Sequence, residues 1–140
     1  MRSGTMPEFT LHLDLDAPPE EVWAKLWDLE RHTQAIPLTA VRLVAGDRLT
    51  EDSRFIARTG LGPFGFDDRM AVRTFEPPRC AVIVKEGSLL FGTITATLTP
   101  VAGGCRLRWR QTYALTHVPN SLARPLLRRG YRRALRAITA

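Results

Sequence analysis

Four polar side chains in a run of predicted strands are the residues of this sequence best suited to chemistry. Asp68, Lys85, Gln111 and Tyr113 supply a carboxylate, an amine, an amide and a phenol. Alternate residues of a strand share a face, and the predicted pairing places all four on the same face of one antiparallel sheet. A carboxylate, an amine and a phenol near one pocket mouth could act as base, electrophile and acid on a carbonyl compound. Asp68, Lys85 and Tyr113 are therefore the candidate catalytic residues.

The same residues also have a purely structural interpretation. Asp68 and Lys85 would then form an ion pair at the rim of the sheet, with the aliphatic stem of Lys85 covering apolar surface. Gln111 and Tyr113 would orient a ligand carbonyl or hydroxyl, or bridge to a helix. The sequence leaves both interpretations open.

Hydrophobic periodicity predicts the elements that position these residues. Residues 8–16 alternate apolar and polar side chains, which predicts a strand. Helical spacing predicts a short helix to about residue 28 and a second one to residue 36, where Pro37 ends it. Six short strands follow, at residues 39–44, 53–59, 66–76, 80–86, 89–99 and 105–115. A long helix then runs from residue 120 or 121 to residue 140.

The turns between the strands predict how they pair. A two-residue turn at 87–88 places Lys85 opposite Leu90, and the turn at 100–103 places Ile94 opposite Trp109. The turn at 77–78 places Met70 opposite Lys85. The face shared by these pairs needs a cover, and the long C-terminal helix is the element able to provide it. Its mainly apolar residues are the predicted ligand-binding residues of the sheet: Met70, Val72, Ile83, Leu90, Ile94, Trp109, Gln111 and Tyr113.

The C-terminal helix has two contrasting sides. Its arginines, residues 124, 128, 129, 132, 133 and 136, fall opposite an apolar side. The apolar side comprises Ala123, Leu126, Leu127, Gly130, Tyr131, Ala134, Ala137 and Ile138. Small residues at the centre of this side permit either close backbone contact or a cavity over the sheet. The cavity interpretation predicts a space of a few hundred Å³ to which the helix contributes Leu127 and Tyr131.

Composition and charge are those of a single globular domain with an uneven charge distribution. The chain has 140 residues, 44% hydrophobic and 24% charged, with a net charge of +6. Residues 101–140 carry nine arginines and no acidic residue. This asymmetry fits an anionic partner or, more simply, a solvated face. We expect nucleic acid not to be the partner, because the arginine side of the helix carries no aromatic residue. We expect any membrane contact to be weak.

Other motifs are set aside. The stretch 60–65 spells G-x-G-x-x-G, but a predicted strand rather than a helix follows it, which argues against a dinucleotide site. A connecting loop, or a flap over the cavity, suits this stretch better. The three histidines lie on separate elements, so neither a metal nor a cofactor is predicted. Cys80 and Cys105 have no close partner in sequence, which predicts a reduced cytoplasmic setting, and the state expected is monomer or homodimer.

This order of elements resembles the SRPBCC (START-like, helix-grip) superfamily, and within it the branch called polyketide cyclase/dehydrase. The stretches that carry the resemblance are APPEEVWAKLWDLERHTQAIP at 17–37, FEPPR at 75–79 and LTPVAGGCRLRW at 98–109. The resemblance implies an α+β helix-grip fold over residues 1–140, with residues 1–7 extended or disordered. A curved antiparallel sheet of six to seven strands would wrap around the C-terminal helix, with two short helices after the first strand.

The sequence leaves three functions of different kinds, the first two implied by the resemblance and the third by the charge of the C-terminal helix. The first is binding of a small hydrophobic molecule, polyketide- or lipid-like, with a carbonyl or hydroxyl end. The second is a cofactor-free aromatase/cyclase or dehydratase that uses the polar end of the same cavity for enolisation, aldol closure and loss of water. The third is an interaction module that uses the arginine-rich helix.

Overall fold

The computed structural model describes residues 6–61, 63–87, 90–115 and 118–140. The expectation for residues 1–7 therefore falls largely outside the described residues. The strands are β1 (Glu8–Leu15), β2 (Thr39–Leu43), β3 (Arg54–Leu61), β4 (Phe64–Glu76), β5 (Cys80–Glu86), β6 (Leu90–Val101), β7 (Gly104–Thr112) and β8 (Ala114–Leu115). The helices are α1 (Pro19–Leu26), α2 (Leu29–Ala35) and α3 (Asn120–Ile138).

The strands form one antiparallel sheet with the order β1-β7-β6-β5-β4-β3-β2, and the two-residue β8 pairs with β6. Helices α1 and α2 follow β1, and α3 closes the described chain. This is the predicted helix-grip architecture. Among the described residues, no helix is both long enough and apolar enough to cross a bilayer.

Local sequence accounts for the helix boundaries. Pro18 and Pro19 open α1, where a missing backbone N–H is tolerated, and Glu20 and Glu21 lie in its positively polarised first turn. The Asp28 side chain caps α2 by accepting a hydrogen bond of 3.0 Å from the amide of Glu30.

Helix α3 packs against β1, α2 and α1. At its C-terminal end the guanidinium of Arg31 donates hydrogen bonds to the carbonyls of Ile138 and Ala140, at 2.9 and 3.2 Å. Backbone carbonyls at a helix end have no partner within the helix, so this side chain satisfies two acceptors that would otherwise depend on solvent. The contact ties the end of α3 to α2.

Two of the predicted registers are shifted by two residues. Lys85 lies opposite Gly92 rather than Leu90, and Ile94 lies opposite Gln111 rather than Trp109. A shift of two keeps each side chain on its predicted face but changes its neighbours across the strands. The β5–β6 connection is longer than a two-residue turn, since the last pair of the ladder joins Glu86 to Phe91.

The β4–β5 register is correct at one end of the hairpin. Met70 pairs with Lys85 and Val72 with Ile83, as predicted. An irregularity between Val72 and Thr74 then inserts one residue, so the turn at 77–78 joins Glu76 to Cys80.

One end of the sheet is called the loop end. Here β4 begins at Phe64, β6 begins at Leu90 and α3 begins at Asn120. The antiparallel ladders bring these three points to the same end, because Phe91 pairs with Glu86 at the close of β5.

Candidate functional site

Lys85 and Asp68 form a buried ion pair on the concave face of the sheet. The side chain of Lys85 is 3% exposed and that of Asp68 is 12% exposed. The Lys85 ammonium donates a hydrogen bond to Asp68 Oδ2 and lies 3.5 Å from the sulfur of Met70. The ion-pair interpretation is therefore correct in its partners, although the pair is buried rather than at an exposed rim.

Helix α3 completes the surroundings of this ion pair. The Lys85 ammonium lies 5.8 Å from the centre of the Tyr131 ring. Burial disfavours the charged amine, but the Tyr131 phenol and the Asp68 carboxylate together outweigh that penalty, so the pKa of Lys85 is raised above its ordinary value. Lys85 is thus an ammonium at neutral pH, which suits an electrostatic role and not a nucleophilic one.

Gly92 leaves a gap in the sheet surface beside the ion pair. It lies directly opposite Lys85 on β5, and on its other side its backbone adjoins Tyr113. Its φ is +144°, and a Cβ atom there would lie 2.1 Å from the carbonyl oxygen of Thr112, so only glycine fits. Because glycine has no side chain, the row Lys85–Gly92–Tyr113 has an amine at one end, a phenol at the other and no side chain between them.

Two fully buried side chains beside this gap have unpartnered polar atoms. Gln111 accepts a hydrogen bond of 3.0 Å from the indole nitrogen of Trp109 through Oε1, but its Nε2 has no hydrogen-bond partner among the described residues. The hydroxyl of Tyr113 and Oδ1 of Asp68 are also buried without a partner there. Each such atom costs about 1–3 kcal/mol when it stays unsatisfied. Two donors and one carboxylate oxygen therefore lie within one apolar region.

A continuous chain of aromatic rings occupies the region between the sheet and the helices. Phe9 contacts Tyr113 and Tyr131 at centroid distances of 6.0 and 5.8 Å, and Tyr131 contacts Trp109 at 5.9 Å. Trp109 then stacks on Trp27 at 6.3 Å, and that ring continues the chain to the remaining tryptophan of the sequence. Rings at these separations attract one another beyond the area they bury.

Two clefts of about 370 and 410 Å³ are lined by described residues, and neither lies between the sheet and α3. The first lies beside Trp27, α2 and β2, and the second lies on the outer face around Arg54 and Arg73. Aromatic rings occupy part of the region between the sheet and α3, where Tyr131 lies against Lys85 and Trp109.

The structure brings most of the predicted ligand-binding residues together. Six of them are buried on the concave face: Met70, Val72, Ile83, Ile94, Trp109 and Gln111, with Tyr113 beside them. Leu90, Leu127 and Tyr131 are half-buried and pack against the same core. Phe9 and Leu135 belong to this region and were missed. Phe9 alternates with Leu11 on β1, and Leu135 follows Tyr131 by four residues, so both were detectable by periodicity.

The inward side of α3 differs from the predicted one. Gly130 is exposed, and a Cβ atom added to it would have no neighbouring residue within 4 Å. Leu126 is 58% exposed. Leu135 is buried instead, at 1%. The helix is rotated so that Leu127, Tyr131 and Leu135 point inward, and these side chains are bulkier than the small residues expected at the centre.

The G-x-G-x-x-G stretch is part of a β-hairpin. Gly60 pairs with Gly65 between β3 and β4, and β4 follows where a dinucleotide fold would require a helix. Residue 62, and His117 among the three histidines, lie outside the described residues.

Comparison with known proteins identifies the family. Residues 6–140 match the model for "Polyketide cyclase / dehydrase and lipid transport", and the chain belongs to this family. No curated protein is detectably similar to the chain in sequence.

Several solved structures share the fold. Ara h 8.0201 superposes with a TM-score of 0.77 at 11% identity, covering 96% of each chain. TTHA0849 from Thermus thermophilus gives 0.77 at 20% identity, covering 95% of this chain and 94% of the other. The di-domain ARO/CYC StfQ from the steffimycin biosynthetic pathway gives 0.72 at 21% identity, covering 94% of this chain and 49% of StfQ. At these identities the likeness establishes the helix-grip fold.

Proposed function

We propose that this protein binds a small hydrophobic molecule with a carbonyl or hydroxyl end between the sheet and α3. The observation that carries the proposal is the pair of unpartnered donors, Gln111 Nε2 and Tyr113 Oη, in an otherwise aromatic and aliphatic region of the described structure. Buried polar atoms normally have partners, so these two favour a ligand acceptor at this position. Family membership agrees with a hydrophobic ligand.

The polar row fixes the orientation of such a ligand. Its oxygen would lie beside Gly92 and would accept hydrogen bonds from Gln111 and Tyr113. The Lys85 ammonium, on the other side of Gly92, would favour partial negative charge on that oxygen. The apolar body would extend along Ile94 and Trp109.

Ligand entry requires movement of Tyr131. Its ring is half-buried and touches Phe9 and Trp109. A rotation of this side chain, or a small displacement of α3, would open the volume needed above the polar row.

Equilibrium dialysis with a matched pair of probes tests the proposal. Acetylnaphthalene and ethylnaphthalene are similar in shape, and only the first has a carbonyl oxygen. We expect the ketone to bind roughly tenfold more tightly, in line with about 1–2 kcal/mol for one or two hydrogen bonds. Tyr113→Phe and Gln111→Leu should each reduce that preference, whereas Val44→Ser, an exposed site elsewhere, should not. Equal binding of both probes to the wild-type protein would contradict the proposal.

A second candidate function, cyclisation with loss of water, is favoured by the Asp68–Lys85 pair beside the same gap. A poly-β-ketone would lose a proton from the carbon between two carbonyls to Asp68, and the enolate carbon would attack a distant carbonyl carbon. The new alkoxide would be stabilised by Lys85 and take the proton back from Asp68. In a later elimination Asp68 would remove a second proton from the same carbon and pass it to the departing hydroxyl, which leaves as water. Because Lys85 is an ammonium, no imine with the substrate is part of this route.

The two functions are separated by Asp68→Asn. Cyclisation should be lost in this variant, because the amide cannot accept the proton, while the preference for acetylnaphthalene persists. The substrate to use is a short poly-β-ketoacyl thioester, followed by the ultraviolet absorbance of the aromatic product. Absence of product with the wild-type protein would rule out the catalytic function and leave the binding function standing.

A further inference from the structure

The apolar side of α3 is larger than the side it buries. Leu127, Tyr131 and Leu135 point to the core, yet Leu122 and Leu126 in the first two turns are 54% and 58% exposed. At about 100° per residue, Leu122, Leu126, Arg129 and Arg133 fall within one narrow stripe on the opposite side from Tyr131. This stripe, called the outer stripe, has leucines near the loop end and arginines farther along.

The loop end carries further exposed apolar side chains. Phe64 is 83% exposed, and Leu38, Phe66 and Phe91 are also exposed. Phe64 and Phe66 open β4, Phe91 lies at the start of β6 and Leu38 precedes β2, so all four lie at the end where α3 begins. A single exposed apolar residue needs no explanation, but a group of aromatic and leucine side chains around one end marks an interaction surface.

The charge of this surface is positive. Arg129 and Arg133 are exposed, and neither takes part in an ion pair among the described residues. The last acidic residue of the sequence is Glu86, so α3 carries six arginines with no acidic neighbour on the same element. The N-terminus of α3 adds partial positive charge at the loop end.

We propose that the loop end and the outer stripe dock on an anionic lipid bilayer. The exposed phenylalanines and leucines would enter the boundary between headgroups and acyl chains, and Arg129 and Arg133 would contact lipid phosphates. A second copy of the chain fits less well, since a two-fold contact would bring the same arginines together. Docking does not depend on the proposed function.

Co-sedimentation with vesicles tests the docking. Wild-type protein should sediment with phosphatidylcholine vesicles containing phosphatidylglycerol, and much less with phosphatidylcholine alone. Phe64→Ser with Leu126→Ser should weaken binding at constant charge, with Val44→Ser as the control. Arg129→Glu with Arg133→Glu should weaken it roughly tenfold or more. Arg73→Glu with Arg108→Glu, on the outer face of the sheet, is the charge-matched control.

The docking proposal would be overturned by the absence of sedimentation with anionic vesicles at low salt. It would also be overturned if the Phe64→Ser, Leu126→Ser variant sedimented as strongly as the wild-type protein. Sedimentation equilibrium gives an independent check. A dimer that Phe64→Ser dissociates would identify a second copy of the chain as the occupant and contradict the bilayer.

Discussion

Gly92 lies directly opposite Lys85 in the β5–β6 ladder, so no side chain faces the buried ammonium from the neighbouring strand position. In a regular sheet, two residues that lie opposite each other on neighbouring strands normally have side chains in contact. Here the position has a φ of +144° that only glycine tolerates well. The backbone geometry that ends the regular β6–β7 ladder therefore also leaves the polar row without a side chain at its centre.

Substitution of two glycines by alanine should have opposite effects on stability. Gly92→Ala should lower the free energy of unfolding by about 3 kcal/mol or more, because the new Cβ would meet the Thr112 carbonyl. Gly130→Ala should raise it by about 0.5–1 kcal/mol, since that helical site is exposed and unobstructed. Urea denaturation measures both. A stable Gly92→Ala variant would show that the ladder is regular at this point.

The ion pair should behave as a buried unit. Removing one partner, in Asp68→Leu or Lys85→Met, should cost about 3–5 kcal/mol of unfolding free energy, because it leaves an unpaired buried charge. Removing both should cost much less than the sum of the two single changes, since two apolar side chains of similar volume replace the pair. Denaturation of the four proteins completes a double-mutant cycle. Additive losses would mean that the two groups do not interact.

Two leucines of α3 should respond differently to truncation. Leu135→Ala should lower stability by about 2–5 kcal/mol because it removes a fully buried side chain. Leu126→Ala should change it by less than about 0.5 kcal/mol because that side chain is mostly in solvent. Thermal unfolding distinguishes them. The reverse order would mean that α3 is rotated from its described orientation.

Stability should fall below about pH 6.5 because of His32. Burial lowers the pKa of His32 from its ordinary 6.5, against the opposing effects of the Leu26 carbonyl and Asp28, and Lys85 acts in the same direction as burial. As pH falls through 6.5 the unfolded chain takes up the proton first, so the free energy of unfolding decreases until the folded pKa is passed.

Glutamine at position 32 should flatten that dependence. His32→Gln keeps a donor for the Leu26 carbonyl, which the imidazole reaches at 2.6 Å, but does not titrate. Urea denaturation between about pH 7 and pH 5 should therefore show a smaller slope than wild type. An unchanged slope in this variant would exclude His32 as the source.

The sequence predicted the architecture well because each element has a strong local signal. Alternation on β1, the paired prolines before α1 and the long amphipathic helix each identify one element without reference to the others. Faces were also predicted correctly over most of the sheet, since parity survives a shift of two residues. Met70, Ile83 and Trp109 lie on the concave face for this reason. The extra residue in β4, however, places Phe75 rather than the predicted Thr74 opposite Ala81.

Registers and helix rotation were less predictable because they depend on contacts between elements. A two-residue turn was inferred at 87–88, whereas the ladder ends at Glu86 and Phe91. The predicted register therefore placed Leu90, and not Gly92, opposite Lys85. Likewise, the sequence predicts that the whole apolar side of α3 is buried, but the portion of that side near Leu126 is exposed to solvent. Which apolar residues of α3 are buried depends on the position of the helix relative to the sheet.

The aromatic chain beneath α3 has a practical consequence. All three tryptophans of the protein, Trp23, Trp27 and Trp109, are buried within it, and Tyr131 adjoins the last of them. Their fluorescence emission should be that of indoles shielded from water. Trp109 adjoins the polar side chains directly, because its indole nitrogen donates a hydrogen bond to Gln111. The molecule thus contains an intrinsic fluorescent reporter, and changes at this location can be followed without attaching a dye.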